Sequence, residues 1–147
     1  MNKEEHVECL LRSFKYWTGR DLWPVSKDPG ETARGLWEAS FVVASNGVEK
    51  DPILNYGNQA ALKLWEMPWE KFVQTPSRFT AEPMEREERT GFLARVKQDG
   101  FIDNYQGIRI SSSGRRFRIE QATVWNLLDE RGNYAGQAAT FSRFTYL

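Results

Sequence analysis

Side chains that could perform nucleophilic or metal chemistry are scarce in this sequence. The chain has one histidine, His6, and one cysteine, Cys9, both near its N-terminus. A structural zinc site needs several converging His, Cys or carboxylate ligands, and a Ser-His-Asp set needs a histidine beside its nucleophile. Two such residues on a terminal segment meet neither requirement. The sequence therefore predicts no metal centre and no catalytic residues of these classes.

Polar side chains suited to ligand binding fall instead in the last third of the chain. Residues 116–126 alternate with the period of two that is typical of a β-strand. If the odd-numbered positions face inward, Gln121 and Thr123 place polar groups on an apolar surface, as in a binding pocket. The opposite register would turn Glu120 inward and bury a carboxylate, and a bulge would reconcile the two registers. We expect the odd positions to face inward.

The segment before this strand adds a cation. Tyr105 and Arg109 share one face of an alternating strand. An inward Arg109 together with Gln121 suits an acidic or carbonyl-bearing ligand. The competing interpretation is that Gln121 and Thr123 face an N-terminal helix while Arg109 pairs with a neighbouring glutamate.

Composition limits the classes of partner. The 147 residues include 20 basic and 20 acidic side chains, and a net charge of zero disfavours direct binding to nucleic acid or acidic lipid. No apolar window approaches the roughly 18 residues that a membrane span needs, and the N-terminus lacks the pattern of a signal peptide. One cysteine permits no internal disulfide, so a cytoplasmic location is expected.

An amphipathic helix is predicted from about residue 4 to residue 18. Its apolar stripe has helical spacing, and Gly19 is a plausible stop. The stripe consists of Val7, Leu10, Leu11, Phe14 and Trp17. It either caps one face of a sheet or meets its own copy in a homodimer. We treat residues 1–30 as this helix with its connector and residues 31–147 as the main domain.

The main domain contains two short strands, three short helices and three strands, in that order. The strands are expected over residues 41–45 and 53–56, and Asn58 is the expected cap of the helix that follows. A charged helix over residues 84–98 offers Glu85 and Arg89 as an i,i+4 pair. Three further strands lie between residues 101 and 144. This order indicates an α+β layer arrangement.

The order and several motifs resemble a PAS domain. Residues 53–60, reading ILNYGNQA, look like the PAS strand that runs into an N-x-A helix start, and residues 129–132 with Gly136 resemble the family's DE-x-G…G turn. Three longer stretches resemble the MEKHLA domain, a PAS-like family. They read FVVASNGVEKDPILNYGNQAALKLWEM, SRFTAEPMEREER and GFIDNYQGIRISSSGRRFRIEQATVWNLLDERGNYAGQAATFSRF.

The resemblance implies a PAS-like fold, with a five-stranded antiparallel sheet covered by short helices, and a role in sensing or protein association. The family occurs as small stand-alone bacterial proteins and at the C-terminus of class III homeodomain-leucine-zipper plant transcription factors. A chain of this length looks like the stand-alone bacterial kind. The resemblance supplies no ligand, so the cofactor stays unknown.

Comparison with cofactor-binding members of the superfamily argues against two cofactors. Flavin photosensors use a cysteine on a central helix, and haem-binding relatives use a histidine on the helix before the sheet; here Cys9 and His6 lie at the N-terminus. Arg109 stands where flavin-binding relatives keep an asparagine, and Phe141 where they keep a glutamine. Tyr105, Arg109, Gln121, Thr123 and Phe141 are the candidate ligand-binding residues.

Three functions remain in competition. The first is a non-catalytic sensory or interaction module that dimerises and binds a small molecule between sheet and helices. The second is a small enzyme with the cone-shaped fold of ketosteroid isomerases, for which Glu120 is the available base. The third is a dimerisation unit whose core is filled by six tryptophans and holds no ligand.

Overall fold

The computed structural model describes residues 2–81 and 83–147, without the side chains of residues 83–85. The elements are α1 (Lys3–Thr18), α2 (Pro29–Glu38), β1 (Val42–Asn46), β2 (Leu54–Gly57), α3 (Gln59–Trp65), α4 (Trp69–Phe72), a 3-10 helix (Ser77–Thr80), α5 (Pro83–Asp99), β3 (Phe101–Ile110), β4 (Arg116–Leu128), β5 (Tyr134–Phe141) and β6 (Arg143–Tyr146). The predicted Glu85–Arg89 pair lies outside the described side chains.

The strands form one antiparallel sheet in the order β2-β1-β5-β4-β3. This confirms the predicted α+β class and the five-stranded core. The sheet also has a short sixth strand that was not predicted. β5 pairs with residues 123–128 of β4, and β6 pairs with residues 117–120 of the same strand. β6 therefore continues the line of β5 beyond Ser142.

Helix α1 covers one face of the sheet. Asn2 caps it by accepting a hydrogen bond from the backbone N–H of Glu5 at 2.9 Å, and Gly19 ends it in the left-handed conformation. The predicted stripe packs against Trp125 and Leu127 of β4. Each buried Leu or Phe of this stripe contributes about 2 kcal/mol of burial free energy. Of the two alternatives, the described structure has the stripe as a sheet cap, and the boundary predicted at residue 30 stays a prediction.

The other face of the sheet is covered by α3, α4 and α5. Trp65 and Phe72 pack there against Phe117. Phe92 and Val96 of α5 pack against Val124. Two apolar layers therefore enclose the sheet, and the interior of the second layer contains the ligand-binding candidates of β3.

The alternation of β4 reverses at Gln121. This residue has a φ of 53°, which is left-handed, and β4 has one more residue than β3 between Ile119 and Ala122. A second irregularity follows on β3, where Asn104 has a φ of 59°. These are β-bulges, each of which turns the following side chains to the other face. The odd positions Phe117 and Ile119 face the helices α3 and α4, as predicted, whereas beyond the bulge the odd positions Thr123 and Trp125 face α1.

Candidate functional site

A pocket lies between the sheet and helices α3–α5. Its volume is about 70 Å³, and its walls come from β1, β5, β4 and β3 on one side and from the helices on the other. Tyr105, Arg109 and Phe141, three of the five predicted ligand-binding residues, line it. A cavity of about 150 Å³ holds a benzene molecule, so this pocket has room for a ligand of a few heavy atoms.

Arg109 is the most constrained polar group of the pocket. It is 7% exposed. One guanidinium nitrogen, Nη2, donates to the hydroxyl of Tyr105 at 3.1 Å, and Nη1 donates to the carbonyl of Ile108 at 2.8 Å. The Tyr105 ring stacks on Phe92 with a centroid distance of 3.8 Å. These contacts hold the charged group at a fixed place in the wall.

A second arginine reaches the same pocket from α5. Burial, followed by the positive charge of Arg109, lowers the pKa of Arg89 to about 10. A guanidinium with this pKa is charged at neutral pH. Among the side chains that the structure describes, no carboxylate lines the pocket, and neither arginine takes part in an ion pair. Such a wall favours a negatively charged occupant.

Trp65 adds a hydrogen-bond donor. Its side chain is 5% exposed and lines the pocket, and its Nε1 has no partner among the described residues. A buried donor without a partner costs about 1–3 kcal/mol, so a compensating acceptor is expected. An acceptor atom of a ligand would supply one.

Sequence reasoning missed Arg89 and Trp65 as site residues. A usable signal existed for Arg89, because it extends the inward stripe of Phe92, Leu93 and Val96 at helical spacing. Trp65 gave no such signal, since an apolar helix position is normally core.

Gln121 and Thr123 do not join this pocket. Gln121 is exposed and accepts a hydrogen bond from Arg143 at 3.3 Å. Thr123 donates to Asp103 at 2.6 Å, and both predicted residues border a groove beside Phe14 of α1. The inward placement of these two residues is wrong because the bulge at Gln121 reverses the faces of β4. The competing interpretation, that they face the N-terminal helix, describes their position.

Phe141 lines the pocket, whereas Glu120 does not. Phe141 is buried and faces Trp65 edge-on at 6.2 Å. Glu120 lies opposite Arg143 in the β4–β6 pair and does not line the pocket, so the base that a ketosteroid-isomerase-like cone requires is absent from this wall within the described residues.

Asn58 occupies the predicted cap position. Its Oδ1 accepts from the backbone N–H groups of Ala61 and Val43, at 3.2 and 3.1 Å. Its Nδ2 donates to the carbonyls of Leu36 and Phe41, at 3.1 and 2.8 Å. One fully buried amide thus joins α2, β1 and α3, which positions the helix that carries Trp65.

His6 and Cys9 do not line this pocket and lie on the α1 side of the sheet. His6 Nε2 is 2.8 Å from Ser45 Oγ, and Cys9 Sγ donates to the carbonyl of Leu128. Burial lowers the pKa of His6 to about 4 and raises the pKa of the Cys9 thiol. The described residues contain no cluster of three or more His, Cys, Asp or Glu suited to a metal ion. None of the helices in the described part of the chain is long and apolar enough to cross a bilayer.

The fold and sequence match known proteins. The chain resembles a PAS domain from Colwellia psychrerythraea (TM-score 0.67, 13% identity, 80% of this chain and 95% of that one). It also resembles an RNA-binding light-oxygen-voltage receptor (TM-score 0.63, 19% identity, 82% and 36%). These likenesses confirm the PAS-like fold.

The sequence relatives include homeobox-leucine zipper proteins of plants. The homeobox-leucine zipper protein ATHB-9 of Arabidopsis thaliana is 29% identical over 84% of this chain, and HOX32 of Oryza sativa subsp. japonica is 24% identical over 81%. The matched regions make up 15% and 14% of those proteins. The model of the MEKHLA domain matches residues 4–146. With nearly every described element inside that match, the chain belongs to the MEKHLA domain family.

Proposed function

We propose that this chain is a non-catalytic sensory module whose pocket binds a small carboxylate. The observation that carries the proposal is the buried Arg109, held by Tyr105 beside a second arginine in a wall without a described carboxylate. Desolvated guanidinium groups bind carboxylates through charge-assisted hydrogen bonds. The unpartnered Trp65 donor offers a further bond to the same ligand.

Pocket size sets the ligand class. A volume of about 70 Å³ suits a monocarboxylate of two to four carbons better than a ring system. The apolar walls, among them Phe72 and Ile119, would cover the short alkyl end. The acid group would face Arg109, and the uncharged amide of the same acid would bind less well.

A melting-temperature series tests the proposal. Acetate, propionate and butyrate are compared with chloride at equal ionic strength and with propionamide. A ligand at 100 times its dissociation constant stabilises the folded chain by about 2.7 kcal/mol, so the best acid should raise the melting temperature while propionamide does not. Equal effects of acid, amide and chloride contradict the proposal.

Matched arginine variants locate the binding. Arg109→Gln should abolish the stabilisation by carboxylate, whereas Arg131→Gln, in the exposed turn between β4 and β5, should preserve it. Circular dichroism of each variant checks that it is folded. If both variants keep the stabilisation by carboxylate, or if both lose it, the anion binds outside this pocket.

Homodimerisation stays part of the proposal, although by a different surface. The stripe predicted to dimerise packs on its own sheet. β6 pairs with β4 and with no second strand among the described residues, and it exposes Phe144 and Tyr146. In analytical ultracentrifugation the wild type should sediment as a dimer, whereas Phe144→Ser, which removes an exposed aromatic ring from β6, should sediment as a monomer. The single buried Cys9 is compatible with the proposed cytoplasmic location.

A further inference from the structure

A second cavity lies on the opposite side of the sheet, under the first half of α1. Its volume is about 230 Å³, larger than the pocket between the sheet and helices α3–α5. Its walls come from α1, β2, the start of α4 and the strands β4 and β5. The residues that bear on its chemistry are Lys3, His6, Asn55, Tyr56, Trp69 and Leu127.

Tyr56 lines this cavity and has a buried hydroxyl without a hydrogen-bond partner among the described residues. The residue is 2% exposed. Burial raises the pKa of the phenol, so the hydroxyl stays protonated and can donate. The ring itself is fixed by the tilted contact with His6 at 5.6 Å and by Trp69, edge-on at 6.0 Å. A ligand acceptor at this hydroxyl would remove the cost of leaving it unpaired.

The neighbouring polar groups define the rest of the wall. Ser45 donates its hydroxyl proton to Asn55 Oδ1 at 2.6 Å, so its oxygen accepts from His6 Nε2 at 2.8 Å. Burial lowers the pKa of His6 to about 4, so the ring is neutral at pH 7 and its Nδ1 is left as an acceptor. The histidine therefore adds no charge to the cavity.

Lys3 is the one charged residue among the described residues of the lining. Its ammonium lies 4.2 Å from the centroid of the Trp69 ring and 4.9 Å from that of Trp37. None of the lining residues is a carboxylate, and Lys3 takes part in no ion pair within the described residues. A cation beside an indole, at the mouth of a cavity with apolar Leu127 and Ala135 in its wall, favours an anion with an apolar body.

We infer that this cavity is a second ligand site, which binds a single-ring aromatic carboxylate. Its volume exceeds the roughly 150 Å³ that accommodates benzene, so one ring fits. The carboxylate lies toward Lys3, the ring packs beside Trp69 and Leu127, and the Tyr56 hydroxyl donates to an oxygen of the ligand. This inference is independent of the carboxylate pocket around Arg109.

Fluorine NMR of 4-fluorobenzoate tests the site, with 4-fluorobenzamide as the uncharged probe. The acid should bind to the wild type more tightly than the amide. Lys3→Gln should remove that preference, and Tyr56→Phe should weaken binding of the acid by about tenfold, the value of one hydrogen bond to a charged group. Because the hydroxyl of Tyr56 has no partner in the free chain, its removal should leave the melting temperature unchanged or raise it.

Two control variants check that the probe binds in this cavity and at no other place on the chain. Tyr16→Phe removes an exposed hydroxyl from α1, the helix that carries Lys3, and should bind like the wild type. Arg109→Gln should also bind 4-fluorobenzoate normally, which distinguishes the two sites even if the carboxylate pocket fails its own test. Absence of binding at millimolar probe, binding unaffected by Tyr56→Phe, or loss of binding in Arg109→Gln would each overturn the inference.

Discussion

Phe117 and Trp125 lie on opposite faces of β4, although they stand eight positions apart and a regular strand would place them on the same face. Phe117 packs under α3, and Trp125 packs under α1. The bulge at Gln121 accounts for the reversal. Because of the bulge, Phe117 and Ile119 before it and Val124 after it face the same helices, α3–α5. The bulge also keeps Gln121 out of the pocket.

At residue 121, in the bulge, glycine should stabilise the fold more than isoleucine, the reverse of the usual order in a β-strand. Isoleucine is normally favoured over glycine in a strand by up to about 1 kcal/mol, but a β-branched residue is strained at positive φ. Gln121→Ile should therefore be less stable than Gln121→Gly by about 1–2 kcal/mol. Arg118, in the regular part of the ladder, is the control, and there Ile should be more stable than Gly. Urea unfolding measures all four variants, and the same order at both positions would contradict a left-handed residue 121.

The same bulge shows where sequence reasoning reached its limit. Helical spacing is enough to predict α1, and the polar residue before QAALKLW is enough to predict the Asn58 cap. Period-two reasoning placed Tyr105 and Arg109 together, since the left-handed residue of β3 precedes both of them. It failed for Gln121 and Thr123 because glutamine gives no local sign of a left-handed backbone. The site partners Arg89 and Trp65 come from other elements, and only tertiary packing brings them to Arg109.

Substitution by alanine should destabilise the fold far more at Asn58 than at Asn2, although both residues cap a helix. The side chain of Asn2 is exposed and satisfies one backbone N–H, so Asn2→Ala should cost about 1 kcal/mol. Asn58→Ala leaves two N–H groups and two carbonyls without their buried partner and should cost about 3–5 kcal/mol.

Aspartate at the two caps makes the comparison sharper. Asn2→Asp keeps the acceptor at an exposed helix N-terminus and should be neutral or stabilising. Asn58→Asp places a buried carboxylate against the carbonyls of Leu36 and Phe41 and should be destabilising. Chemical unfolding of the four variants provides the measurement. Similar penalties at both positions contradict the bridging role of Asn58.

Gly136 and Gly132 should differ in their response to alanine. Both have positive φ, but a Cβ at Gly132 meets open space, whereas one at Gly136 would lie 2.1 Å from the carbonyl oxygen of Asn46 in β1. Gly132→Ala should therefore cost only the conformational term, about 1 kcal/mol. Gly136→Ala must push β1 away from β5 and should cost about 3 kcal/mol or more. Thermal unfolding measures the loss of stability in each variant. Equal losses would mean that β1 can move away from β5 at little cost, contrary to this prediction.

The folded chain should lose stability in mild acid because His6 is largely buried in its neutral form. Its pKa falls from an ordinary value of 6.5 to about 4 on folding, chiefly because of burial, so the unfolded state binds more protons between these pH values. The contribution is complete above about pH 6.5 and is lost as the pH falls toward 4, for a total of roughly 3 kcal/mol. His6→Gln keeps a hydrogen-bonding side chain near Ser45 without this titration. Free energies of unfolding at a series of pH values should therefore decline more steeply for the wild type than for His6→Gln, whose remaining slope reports the carboxylates common to both. Parallel curves would show that His6 is protonated in the folded chain at little cost.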